Sequence, residues 1–198
     1  MKSISLSDVQ SNPQNQSKIK ETLEQGKLVC FPTLSGYKLA ADLSSASAVI
    51  SLIQAKRRVK NAPALVLVPS IDWVDKVVDQ VSDEARSLMK ALWPGHVTLL
   101  FQASDELPGK VRKTLIKAKG WLGVRMPSDE SSRLVLDSFG KPIVVSSANI
   151  AKKHGANSLA QVRKNFGRTV DLLIESGDIK EGPKSTLVDL TNDVPEII

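Results

Sequence analysis

The sequence predicts an α/β fold (α+β by some schemes): a single domain over residues 1–198, with a twisted mixed β-sheet flanked by helices. Short apolar runs rich in β-formers, such as 28–31, 64–68, 97–101 and 143–146, recur between stretches of helical periodicity. Proline or glycine punctuates the junctions. No repeat, linker or shift in composition divides the 198 residues. Strand and helix alternate imperfectly, so some strand pairs are expected to be antiparallel.

In order, residues 14–25 predict a helix, with Ile19 and Leu23 four apart and Gly26 as its stop. Strand 28–31 ends at Pro32, which cannot donate to a ladder, and Gly36 permits a turn. Thr33, Ser35 and Tyr37 are then expected in the loop beyond the strand's carboxyl end, where open α/β sheets bind ligands. Ser44 or Ser45 caps a second helix whose Ala46, Val49, Ile50 and Ile53 make one apolar face. That helix runs into Lys56-Arg57-Arg58, and strand 64–68 ends at Pro69. Residues 70–80 form a short amphipathic helix; Ser82 caps the next, with Asp83 and Glu84 at its positive end. After Trp93-Pro94-Gly95 come strand 97–101, a basic helix 108–119, strand 121–126, helix 128–139 stopped by Gly140, and strand 143–146. Ser158 caps a helix ending at Gly167, and 171–174 and 186–190 are the last strands.

Composition bounds the function. With 41% apolar and 24% charged residues the chain can bury a core, and no apolar run approaches the roughly 18 residues of a membrane helix. The N-terminus has no long apolar segment, and the one cysteine, Cys30, sits inside an apolar run, so a cytoplasmic protein without disulfides is expected. The net charge of +6 suits anionic partners such as nucleotide phosphates or RNA, and equally a basic solvated face. Aromatics are only 4%, too few for stacking platforms along single-stranded RNA.

Four places carry residues suited to chemistry. Lys56, Arg57, Arg58 and Lys60 cluster after a helix: a phosphate site, or a solvated basic helix end. Ser147 and Asn149 follow a buried strand, placed to bind a phosphate or sugar or to hold their own loop. Ser185 and Thr186 follow Gly182-Pro183-Lys184, without the full spacing of a phosphate loop. Arg125 lies in an apolar run, where a cation needs a partner: a substrate carboxylate or a structural ion pair. His96 and His154 with Cys30 have no zinc spacing, and no metal ligation by protein side chains is expected.

Taken together these stretches resemble the YrdC-like family, the threonylcarbamoyl-adenylate synthases (YrdC/YciO-like domain). Its P-T-x-S/T-x-Y signature is matched by Pro32 to Tyr37, K-x-R by Lys56-Arg57-Arg58, W-P-G-x-x-T by Trp93 to Thr98, V-R-x-P by Val124 to Pro127, S-x-N by Ser147-Ala148-Asn149, and S-T-x-V-D-L by Ser185 to Leu190. Six motifs in one order outweigh the structural alternative at each. The resemblance implies the YrdC-like fold and a nucleotidyltransferase that makes threonylcarbamoyl-AMP and pyrophosphate from ATP, L-threonine and bicarbonate, with Mg²⁺ on the phosphates. A separate threonylcarbamoyl-transferase complex then modifies adenosine 37 of tRNA. It implies catalytic, charge-neutralising roles for Lys56 and Arg58, which also bind nucleotide with Ser147, Asn149 and Ser185. Thr33, Tyr37 and Arg125 would bind threonine. The alternative it leaves open is a non-catalytic protein of the YciO-like branch that binds tRNA or double-stranded RNA.

The match has departures. Where the family commonly has G-L-G after the tyrosine, this chain has Lys38-Leu39-Ala40, so a lysine side chain can fill space that backbone alone would leave open. The usual proline after W-P-G is His96. S-G-Y and G-V-R-M-P-S are closer to the YciO-like branch; S-S-A-N and K-R-R are closer to the synthases. The sequence ends at Ile198, where relatives often continue into a segment with a nucleotide-contacting arginine or a further domain.

Overall fold

Side-chain alternation along the strands gives the sheet two apolar faces, each covered by its own helices. The computed structural model describes residues 1–56, 64–116, 120–150, 156–180, 182–183, 185–192 and 194–198. Its elements are β1 (Lys2–Ser5), α1 (Leu6–Ser11), α2 (Pro13–Glu24), β2 (Val29–Phe31), β3 (Lys38–Asp42), α3 (Ala46–Ala55), β4 (Ala64–Leu67), a 3-10 turn (Ile71–Lys76), α4 (Asp83–Leu92), β5 (Val97–Gln102), α5 (Gly109–Leu115), β6 (Trp121–Arg125), α6 (Glu130–Phe139), β7 (Ile143–Ser147), α7 (Leu159–Phe166), β8 (Leu172–Glu175), β9 (Thr186–Asp189) and β10 (Glu196–Ile197).

Among the described residues one ten-stranded sheet runs in the order β1-β8-β2-β3-β7-β4-β6-β5-β9-β10. It is mixed: β8 is parallel to β1 and β2, β4 to β6 and β5 to β9, whereas β2/β3, β3/β7, β4/β7, β5/β6 and β9/β10 are antiparallel. On the first face Cys30, Leu39, Val66, Val124 and Val144 pack with Val49 and Leu52 of α3, Val111 of α5 and Val162 of α7. On the second, Val29, Ala40, Leu67 and Val145 meet Ile19 and Leu23 of α2 and Val135, Leu136 and Phe139 of α6. Neighbours in sequence thus belong to opposite faces, as a period of two requires. No helix among the described residues is long and apolar enough to cross a membrane.

The helix ends follow the predicted chemistry in most places. Ser82 Oγ accepts from Ala85 N and Ser45 Oγ from Ala48 N, each a capping bond worth about 1 kcal/mol. Gly140 closes α6 with a left-handed φ of 74°. Four readings need correction. Residues 38–42, assigned to no element from the sequence, form β3, because the turn at Thr33–Gly36 folds them straight back onto β2. The buried face of α3 is Ala48, Val49 and Leu52; Ile50 is exposed, since the helix presents i, i+3 and i+4 one position round from the predicted stripe. The helix expected at 70–80 is only a 3-10 turn. Ser158 makes no capping bond; Asp178 Oδ1 from a distant loop accepts from Leu159 N instead, at 2.8 Å. Cys30 is buried and its thiol is pushed up to about 12 by desolvation, so it is a small core residue and not a nucleophile.

Candidate functional site

The motif residues converge on the carboxyl end of β7. Ser147 is the last residue of that strand rather than part of the loop, paired across the ladder with Lys38 of β3. Lys38 Nζ donates to Ser147 Oγ at 2.9 Å. Lys56, the residue that ends α3, is 7% exposed and reaches the same point from the first face. Its ammonium donates to the carbonyls of Ser147 and Asn149 and to Asn149 Oδ1, the last at 2.6 Å. The carbonyl of Tyr37 accepts from Ala148 N at 2.8 Å. The strand end is therefore held by two lysine side chains and the Tyr37 carbonyl, from two separate stretches of sequence.

The turn that follows β2 forms the adjoining wall. Thr33 N and O both pair with Gly36, and Thr33 Oγ1 donates to the Gly36 carbonyl at 2.7 Å. Gly36 has φ +107°, and a Cβ there would lie 2.3 Å from Asn157 Oδ1, so both its backbone angle and the space exclude a side chain. Gly182 crosses Leu34 so closely that a Cβ would meet the Leu34 carbonyl at 2.1 Å. That crossing sets Gly182, three residues before Ser185, against the turn. Tyr37, expected to open onto the loop, is fully buried instead. Its hydroxyl donates to Gly177 O at 2.7 Å and accepts from Ser176 N at 3.0 Å. Antiparallel return of the chain turns this position into the core.

Arg125 closes the arrangement from β6. It is 7% exposed, and among the described residues its Nε has no hydrogen-bond partner. Burial lowers the pKa of its guanidinium, opposed by the nearby carboxylate of Asp129. The W-P-G motif supports it: Gly95 N donates to Met126 O at 2.9 Å, and Trp93 Nε1 to Val97 O at 2.7 Å, fixing β5 against the end of β6. Burial, and then the charge of Arg125, pushes the Lys38 ammonium down to about 8, with Asp129 opposing.

The structure thus gathers Thr33, Lys56, Ser147 and Asn149 and places Tyr37 behind them. Ser185 is half-buried just before β9. Arg57, Arg58, Lys60, His154 and Lys184 lie outside the described residues. Sequence reading missed Lys38 as a site residue and Asp129 and Ser132 altogether. A lysine opening the apolar stretch Leu39–Ala41 was the available signal for Lys38, and none marked the other two. Among the described residues no group of three or more His, Cys, Asp and Glu side chains could hold a metal ion. A cavity of about 500 Å³ near β5, lined by Asp79, Glu84, Gln102 and Asn192, meets the described motif residues only at Leu190. Its charged side chains are acids, the wrong sign for a triphosphate, so the convergent cations define the candidate site.

The family model for Sua5, YciO and YrdC proteins, described as telomere recombination, matches residues 21–198. The threonylcarbamoyl-AMP synthase of Pyrococcus abyssi is 30% identical over 176 residues, 89% of this chain and 51% of that protein. The chain therefore spans about half the length of that relative. The crystal structure of P. abyssi Sua5 complexed with L-threonine superposes with a TM-score of 0.82 at 28% identity, covering 94% of this chain and 54% of the other. E. coli YciO shares the fold, with a TM-score of 0.81 at 22% identity, covering 94% of this chain and 89% of its own.

Proposed function

The chain belongs to the Sua5/YciO/YrdC family, and from that membership we propose that it is an L-threonylcarbamoyladenylate synthase. It makes threonylcarbamoyl-AMP and pyrophosphate from MgATP, L-threonine and bicarbonate, supplying the modification of adenosine 37 in tRNA. The observation that carries this reading is the convergence of Lys56, Ser147 and Asn149 at one strand end, with the buried Arg125 on β6, whose Nε has no partner among the described residues. It acts in the cytoplasm as a single domain and hands its product to a separate transferase complex.

Charge placement and positioning do the catalytic work. Bicarbonate loses hydroxide to give carbon dioxide, and the amine of threonine adds to it, forming one N–C bond and releasing a proton that leaves with the hydroxide as water. A carbamate oxygen then attacks the α-phosphorus, and the bond to the bridging oxygen breaks to expel pyrophosphate. Lys56 and Arg58 offset the charge of the triphosphate. Lys56 also fixes Asn149, which binds the nucleotide together with Ser147 and Ser185. Mg²⁺ arrives as part of MgATP, on phosphate oxygens. Arg125 takes the α-carboxylate of threonine. Thr33 shapes the adjoining wall through its turn, and Tyr37 holds that wall from inside the core, because its hydroxyl is already engaged by Ser176 and Gly177. The net charge of +6, the basis for a non-catalytic RNA-binding module, serves nucleotide phosphates equally well.

The test is pyrophosphate release with ATP, Mg²⁺ and bicarbonate, with and without L-threonine. Threonine-dependent release with a product of the mass of threonylcarbamoyl-AMP is expected. Release that ignores threonine, or none despite ATP binding, overturns the reading.

A further inference from the structure

Once its amine carries a carboxyl group, the acceptor amino acid is a dianion, and this chain places a lysine, Lys38, against the motif residue Ser147. Lys38 alternates with Leu39, Arg125 with Val124 and Ser147 with Ser146. The apolar members of these pairs belong to the first face, so Lys38, Arg125 and Ser147 share the second face, the one that α6 covers. α6 begins there with Asp129 as its cap. Asp129 is the carboxylate acting on both Lys38 and Arg125, yet its Oδ1 already accepts from Ser132 N at 3.0 Å. Ser132 is fully buried, and its hydroxyl has no partner among the described residues. Arg125, 7% exposed, has its unpartnered Nε on the same face. Lys38 holds only a neutral hydroxyl, Ser147 Oγ, among the described hydrogen bonds.

Buried Arg125, half-buried Lys38 and a helix N-terminus therefore face the carboxylate of Asp129, whose Oδ1 also caps α6. Two cations against one carboxylate leave one positive charge for an anionic ligand. Lys38, half-buried and bonded only to a neutral hydroxyl among the described hydrogen bonds, can meet a second anionic group.

Resting on the synthase reading above, we propose that Lys38 is a second carboxylate-binding residue of the acceptor subsite: it holds the carboxyl group newly added to the amine, while Arg125 holds the α-carboxylate. The Lys38 ammonium, pushed down to about 8 by burial and by Arg125, regains its ordinary basicity when that anion binds beside it. The cation also opposes loss of carbon dioxide, because the negative carbamate is the form it stabilises.

The experiment has one arm that does not require turnover. In protein carrying ¹³C-labelled lysine, the Lys38 resonance, assigned by its loss in Lys38→Met, is titrated with pH in chloride, in bicarbonate, and in L-threonine without bicarbonate. Bicarbonate is expected to raise the Lys38 pKa by at least one unit over chloride at equal ionic strength. No shift, or an equal shift with L-threonine alone, overturns the assignment. In the second arm, Lys38→Met is expected to raise KM for bicarbonate at least tenfold while KM for ATP stays within twofold, and Lys38→Arg to restore most of the loss. A uniform fall in kcat with both KM values unchanged would mean Lys38 is structural and overturns the proposal. A wild-type protein whose Lys38 responds to bicarbonate but which releases no pyrophosphate would sink the synthase reading and leave the anion subsite standing.

Discussion

Two lysines grip the same residue from opposite faces of the sheet, and their surroundings make them different groups. Lys56 donates to three oxygen acceptors, two backbone carbonyls and one side-chain amide, so each of its N–H bonds has a partner. Among the described hydrogen bonds Lys38 donates to a single hydroxyl, and the charge of Arg125 acts on it. The first charge is solvated by the protein and anchors the strand end. The second is under-solvated and ready to respond to a ligand. Residue type does not distinguish them; the number of oxygens each meets does.

The largest effect should come from the anchored lysine. Lys56→Met leaves three acceptors without their ammonium and is expected to lower stability by about 4 kcal/mol and abolish pyrophosphate release, because bonds to charged donors are worth about 1.5–3 kcal/mol each and are not additive. Urea denaturation followed by circular dichroism measures the first. A loss below about 1 kcal/mol would erase the contrast between the two lysines.

Lys38 should behave in the opposite sense. Its folded pKa is below its unfolded one, so between about 8 and 10.5 the unfolded chain binds the extra proton and stability rises with pH. The rise corresponds to about 3 kcal/mol at most, since each unit of pKa is about 1.4 kcal/mol. Below pH 8, without ligand, Lys38→Met is therefore expected to be as stable as the parent or more so, and its stability should be flat over that window. A parent whose stability is flat there would show that Lys38 is not under-solvated.

A smaller effect is expected from Tyr37→Phe, which strands Ser176 N and Gly177 O and should cost about 2 kcal/mol. If Tyr37 only supports the wall, KM for threonine should change less than threefold; a tenfold rise would return its hydroxyl to the substrate. The smallest effect separates two candidate caps of α7. Asp178→Ala should cost about 1 kcal/mol and Ser158→Ala close to nothing, because Asp178 makes the bond to Leu159 N. Equal losses would restore the local cap that sequence favours.

The sequence by itself determined the mixed α/β class, most strands and helices, and the identity of the site motifs. Apolar periodicity, proline and glycine stops, and hydroxyl caps are local physics, legible without a partner. That is why 97–101 and 143–146 match β5 and β7 to within a residue. Tertiary structure alone decided what depends on the facing element. β3 was hidden because five residues opening with a lysine become a strand only when the turn at Thr33–Gly36 lays them on β2 and β7. Tyr37 moved from loop to core for the same reason. The cap of α7 passed to a residue twenty positions away from Ser158, at Asp178. The difference between Lys56 and Lys38 arose in the same way: the chain encodes a charge at each position, but desolvation and hydrogen-bond supply are properties of the fold that surrounds it.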